Sequence, residues 1–205
     1  MPMDAFPETN EVLLRGTLAG RPAYSHTSRG QDFYSFPLRV LRLSGNADTV
    51  NILLRHQQLD ELPLSDAEKL QVSGELRSFN NRRGEGAKLV ITVFARELSF
   101  SDGEDLNRVR LQGTLCRPPS FRTTPMGREI CDLMLAVNRR YGRSDYLPCI
   151  CWGLSAREAA RWEVGTRLEL EGRLQSRNYI KMTETGPVEK TAFEISAIRV
   201  GRIDP

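Results

Sequence analysis

Laid beneath itself, the chain matches at a constant offset of 97 residues, and this internal repeat limits the fold more than any other feature of the sequence. NEVLLRGTLAGRP from Asn10 stands over NRVRLQGTLCRPP from Asn107. Asn10, Val12, Leu14, Gly16, Thr17, Leu18 and Pro22 thereby meet Asn107, Val109, Leu111, Gly113, Thr114, Leu115 and Pro119. Without a gap, the same register carries Gly30 onto Gly127, Leu38 onto Leu135, Val40 onto Val137, Arg42 onto Arg139 and Asp48 onto Asp145. Farther on, GELRS from Gly74 lines up with GRLQS from Gly172. The reading is a duplicated domain: a tail over 1–9, domain 1 over 10–100, a polar linker over 101–106 and domain 2 over 107–203. A unit of roughly 95 residues still buries a workable core.

Both copies read as strands. Val12, Leu14, Gly16 and Leu18 alternate with Leu13, Arg15 and Thr17, the period of a half-buried strand. Phe33–Arg42, Asp48–Leu54, Leu70–Ser78 and Ala87–Leu98 supply four more. The second copy answers with Val109–Leu115, Ile130–Arg139, Asp145–Trp152, Thr166–Ser176 and Lys190–Val200. Between the third and fourth strands, Ser65-x-x-Glu68 and Ser155-x-x-Glu158 have the form of a capping box and predict a short helix in each copy. The fold class expected is all-β, two tandem five-stranded OB-fold barrels, each with a short helix after strand 3.

Composition excludes several classes. No run of 18 apolar residues exists to span a membrane, and MPMDAFPETN has neither the basic nor the apolar segment of a signal peptide. A cytoplasmic protein is expected. The four cysteines form no C-x-x-C pair and lie far from His26 and His56. No metal, no cofactor and no enzyme activity are expected. Cys149 and Cys151 alternate within an apolar strand and read as small buried side chains. Charge divides unevenly. Residues 1–106 hold 12 Lys and Arg against 15 Asp and Glu, whereas 107–205 hold 17 against 11, which favours a polyanion on the second half.

Strand parity selects the candidate site. Along Tyr146–Trp152, Leu147, Cys149 and Cys151 suit the barrel interior, leaving Tyr146, Pro148, Ile150 and Trp152 outside. Exposed rings beside cations are what single-stranded nucleic acid needs, because bases stack on rings while cations follow the phosphates. The hairpin after strand four adds Arg177, Tyr179 and Lys181 at alternate positions, and the loop after strand two adds Arg139, Arg140, Tyr141 and Arg143. Domain 1 differs: Thr49 and Arg55 stand where Tyr146 and Trp152 stand, and the third strand has no outer ring. Arg82 and Arg83 retain charge near Phe79 without a matching tyrosine.

NRVRLQGTL, LAVNR, CICWG and VGTRLELEGRLQSRNY make the second copy similar to the DNA-binding domain of bacterial single-stranded DNA-binding proteins. The resemblance runs over nearly all of 107–202. It implies that Tyr146, Trp152 and Tyr179 stack on bases, with Tyr141 a further stacking position. It also implies a homodimer, whose four OB folds would equal those of the family's single-domain tetramers. The usual acidic C-terminal tip is not seen before Pro205, which weighs against a general hub role, with replication or repair proteins still expected as candidate partners. The function expected is binding of single-stranded DNA without strong sequence preference, in replication, recombination or repair. The competing reading is a primosome-like accessory or protein–protein scaffold with weak nucleic-acid binding.

Overall fold

The computed structural model describes residues 9–62, 64–65, 67–81, 88–139, 142–183 and 186–203, with the Lys181 side chain outside that set. The chain divides into two compact units, one formed by 11–108 and 178–192, the other by 1–10, 109–177 and 193–205. Each repeat is a small barrel of the same construction.

In the first repeat, β1 (Asn10–Leu18), β2 (Ala23–Ser28), β3 (Gln31–Leu41) and β4 (Ala47–Arg55) lead into α1 (His56–Glu61), followed by β5 (Lys69–Asn80) and β6 (Leu89–Phe100). The strand order is β2-β3-β4-β6-β5-β1, with β3 also pairing β1 to close the barrel. Every pairing described is antiparallel except β4 with β6, where Ile52 faces Val93 and Leu53 faces Phe94. The second repeat repeats the plan. β7 (Leu106–Leu115), β8 (Ser120–Thr123), β9 (Glu129–Asn138) and β10 (Ser144–Trp152) lead into α2 (Gly153–Ala159), β11 (Arg167–Thr183) and β12 (Gly186–Arg202). Here β7 also pairs β9, and β10 runs parallel to β12.

Alternation decides what is buried. Val12, Leu14 and Leu18, then Phe36, Leu38 and Val40, then Val50, Ile52 and Leu54 fill the first barrel; Val109, Leu111, Leu115, Leu133, Leu135, Val137, Leu147, Cys149 and Cys151 fill the second. Each fully buried side chain of this size stabilises by about 1.5–3 kcal/mol relative to exposure. Two repeated glycines have a packing reason. A Cβ on Gly74 would lie 2.2 Å from the Phe94 carbonyl oxygen, and one on Gly172 2.3 Å from that of Ser196.

The structure adds a strand to each copy beyond the five expected. β2 and β8 are exposed at every residue, so no apolar alternation marks them. The helices also start earlier than the serine boxes predict. α1 leaves directly from the end of β4, and the Gln58 side chain accepts the Arg55 N–H at 3.0 Å. Ser65 and Glu68 do form their side-chain box, at 2.5 and 2.9 Å, but Ala67 has φ 63° and no helix follows. In the second repeat the helix begins at Gly153 with Trp152 as its N-cap, placing Ser155 inside it. Burial of Ala156 and Ala159, not a capping hydroxyl, ties α2 down.

Candidate nucleic-acid interface

The outer face of β9 and β10 carries the site. Nine register pairs hold the two strands together, from Ser144 opposite Asn138 to Trp152 opposite Ile130. Leu147, Cys149 and Cys151 point inward and are buried, while Tyr146 is 51% and Trp152 37% exposed. The two rings are three same-face steps apart on one strand, a span of ~20 Å. Parity does not give exposure everywhere. Ile150 belongs to the outer set yet is buried, because β12 lies alongside and places Ser196 opposite it.

Ser196 is the residue that sequence reasoning missed. Its hydroxyl oxygen accepts the Trp152 indole N–H at 3.0 Å, which satisfies the ring's one polar atom and fixes its orientation. Nothing local flags it, since the contact joins residues 44 positions apart. Around the face, Arg122 pairs with Asp132 at 2.9 Å and Arg157 with Glu129 at 2.5 Å. Phe121, on the unforeseen β8, is also exposed.

The other sequence-selected residues divide. Arg139 Nε donates to Asp145 Oδ2 at 2.5 Å and its Nη2 to the other oxygen, a bidentate pair on a wholly buried carboxylate. The first repeat holds the same arrangement between Arg42 and Asp48, at 2.7 and 2.5 Å. The repeated Arg and Asp are therefore a framework element that braces the hairpin between the second and third long strands. Arg143 is exposed, and its carbonyl accepts the Arg139 N–H at 2.7 Å. Arg140 and Tyr141 lie outside the described residues, as do Arg82 and Arg83. Arg177 is exposed, with Nε 3.6 Å from Glu194 Oε2. Tyr179 is half-buried farther along β11, in the stretch 178–192 that belongs to the other compact unit.

Three cysteines are buried and none is disulfide-bonded. Burial pushes the Cys151 thiol up to about 12, with Cys131 and Asp132 nearby acting in the same direction. Cys149 shifts upward too, chiefly through desolvation. Such thiols are inert packing groups. Among the described residues no cluster of His, Cys, Asp and Glu is arranged to hold a metal ion, and no helix is long and apolar enough to cross a membrane.

Residues 106–203 match the model of the Single-strand binding protein family. The match falls on the second repeat. Single-stranded DNA-binding protein 2 of Listeria innocua is 36% identical over 81 residues, 36% of this chain and 51% of that protein. Single-stranded DNA-binding protein A of Bacillus subtilis is 37% identical over 81 residues, 36% of this chain and 47% of that protein. The chain thus spans about half the length of these curated relatives. Among solved structures, the wild-type single-stranded DNA binding protein from Thermus aquaticus matches with a TM-score of 0.78 at 26% identity. That likeness covers 97% of this chain and 95% of the Thermus chain, so it runs through both repeats and not the family repeat alone.

Proposed function

We propose that this protein binds single-stranded DNA without strong sequence preference, in support of replication, recombination or repair. The observation that carries the reading is the pair of exposed rings, Tyr146 and Trp152, on the outer face of β10 in the family repeat. Bases stack on these rings, at ~1–3 kcal/mol each. Arg143 and Arg177 meet phosphates, with Arg140 proposed as a further phosphate contact, while Arg139 braces the hairpin through its pair with Asp145. Tyr141, Tyr179 and Lys181 are proposed as further contacts, each to be tested by single substitution. The mode of action is non-catalytic: stacking plus release of counterions, so affinity falls as salt rises. The domains are assigned to 10–100, divergent and with few outer aromatics, and 107–203, the main DNA-binding one, joined by the linker 101–106. Two chains pairing as a homodimer would display four such folds.

The test is quenching of tryptophan fluorescence on titration with oligo-dT at two salt concentrations. Trp152 and Trp162 are the only tryptophans, and Trp162 is 7% exposed, so quenching reports Trp152 above a constant background. Strong quenching that weakens with salt, and is lost in Trp152→Phe, is the expected result. An unquenched protein that also fails to shift oligo-dT at low salt would overturn the reading. Sedimentation of the full chain, at twice the 23.2 kDa chain mass if the dimer holds, tests the assembly.

A further inference from the structure

We infer that Glu194 competes with DNA phosphate for the Arg177 guanidinium, and so keeps the contact on the second repeat reversible. The inference rests on the DNA-binding reading above and adds the regulation of that same site. A carboxylate on a face that meets a polyanion repels it, so its presence there needs a reason. Glu194 is buried on β12, followed by the wholly buried Ile195 and then by Ser196, which reaches Trp152 on the outer face. Alternate residues of a strand share a face, so Glu194 stands one step, ~7 Å, from the serine that holds the stacking ring. The acid therefore belongs to the same outer surface as Trp152.

The way Glu194 is held separates it from the other buried acids. Among the described residues, Asp48 and Asp145 are each gripped by two nitrogens of one arginine, and Glu75 pairs with both Arg77 and Arg96. Glu194 is anchored by a neutral group instead. Gln175 Nε2 donates to its Oε1 at 2.9 Å, and both residues are buried. Gln175 Oε1 in turn accepts from Arg173 Nη2 at 3.5 Å. The second carboxylate oxygen, Oε2, stands 3.6 Å from Arg177 Nε, beyond hydrogen-bond length, and the Arg177 side chain is 53% exposed. The acid is thus fixed, while the arginine is only loosely attracted to it. A phosphate can take that guanidinium, and the anchored charge draws it back as the DNA leaves. While bound, the phosphate also stands near a carboxylate that cannot withdraw, and the like charges repel. Both effects lower affinity and hasten release. The barrel itself does not require an acid there. Gly74 approaches the Phe94 carbonyl as Gly172 approaches that of Ser196, so Thr92 occupies the place of Glu194 in the first repeat.

The experiment uses the full chain, with affinity read from Trp152 quenching by oligo-dT and release from a fluorescein-labelled oligo-dT chased with unlabelled oligo-dT. Glu194→Gln removes the charge but keeps an oxygen to accept from Gln175; Glu194→Thr installs the residue of the first repeat. At low salt each variant should bind ~5-fold tighter and release correspondingly slower, with the gain shrinking as salt rises. Placed on top of Arg177→Gln, the Glu194→Gln change should give little of that gain, because the contested guanidinium is gone. Cooperative thermal melting shows which variants keep the barrel, and either of the two Glu194 variants suffices. Unchanged or weakened binding in an intact variant would overturn the inference, as would a full gain in the Arg177→Gln background. In both cases quenching of the unaltered chain leaves the DNA-binding reading standing. An unaltered chain that is neither quenched by oligo-dT nor shifts it removes that reading and this inference together.

Discussion

At the end of the third long strand the two repeats carry Arg55 and Trp152 in the same place, and the neighbouring parallel strand answers each in kind. Trp152 meets Ser196, whose hydroxyl takes its indole proton; Arg55 meets Phe94, whose ring takes its charge. Ring and polar partner have exchanged strands. The barrel tolerates this because the exchange involves only outer-face positions, while the inward set on the same strands is apolar in both copies apart from the arginine-paired Asp48 and Asp145. The comparison teaches that the framework is duplicated as a unit, whereas a stacking surface is assembled from whichever strands present a ring to the outside.

The strongest way to break the framework half of that comparison is to remove the arginine of each buried pair. Arg42→Ala and Arg139→Ala each remove the bidentate partner of a wholly buried carboxylate, and each should cost about 3–5 kcal/mol in urea denaturation. Equal losses sustain the equivalence of the repeats; a loss in only one would show that the pairs serve different ends. Next come the close-approach glycines. Gly74→Ala and Gly172→Ala press a methyl group onto a carbonyl oxygen of the adjacent strand and should each destabilise by roughly 1–3 kcal/mol, measured by thermal unfolding.

The outer face is sharpened by a matched pair of substitutions. Tyr146→Ala should weaken oligo-dT binding by ~1–3 kcal/mol in a fluorescence titration, whereas Thr49→Ala at the corresponding place should leave affinity unchanged. The smallest effect separates the two cores. Cys151 stands where the first repeat has Leu54. The folded protein keeps a proton on Cys151 up to about pH 12, which the unfolded chain releases near 9.0. The stability contributed by the neutral thiol is therefore complete below pH 9 and lost as pH rises toward 12. The melting temperature should fall by a few degrees over that window and fall less in Cys151→Ala.

Much of this was legible in the chain. The offset of 97 residues, the inward parity of Leu147, Cys149 and Cys151, and the outward Tyr146 and Trp152 follow from periodicity, because strand side chains alternate whatever the partner. So does the repetition of Arg42 with Asp48 and Arg139 with Asp145, although sequence reasoning placed Arg139 among the DNA contacts and the buried pair assigns its guanidinium to the framework. Pairing across the sheet was not legible. The covering of Ile150 by β12, the hold of Ser196 on Trp152, and the meeting of Phe33, Arg55 and Phe94 all join residues distant in sequence. β2 and β8 escaped notice for a related reason: edge strands exposed at every residue carry no alternation to read. Local pattern determined which side each residue faces. Only closure of the barrel decided its neighbours there, because the parallel partner strand arrives from the far end of each repeat.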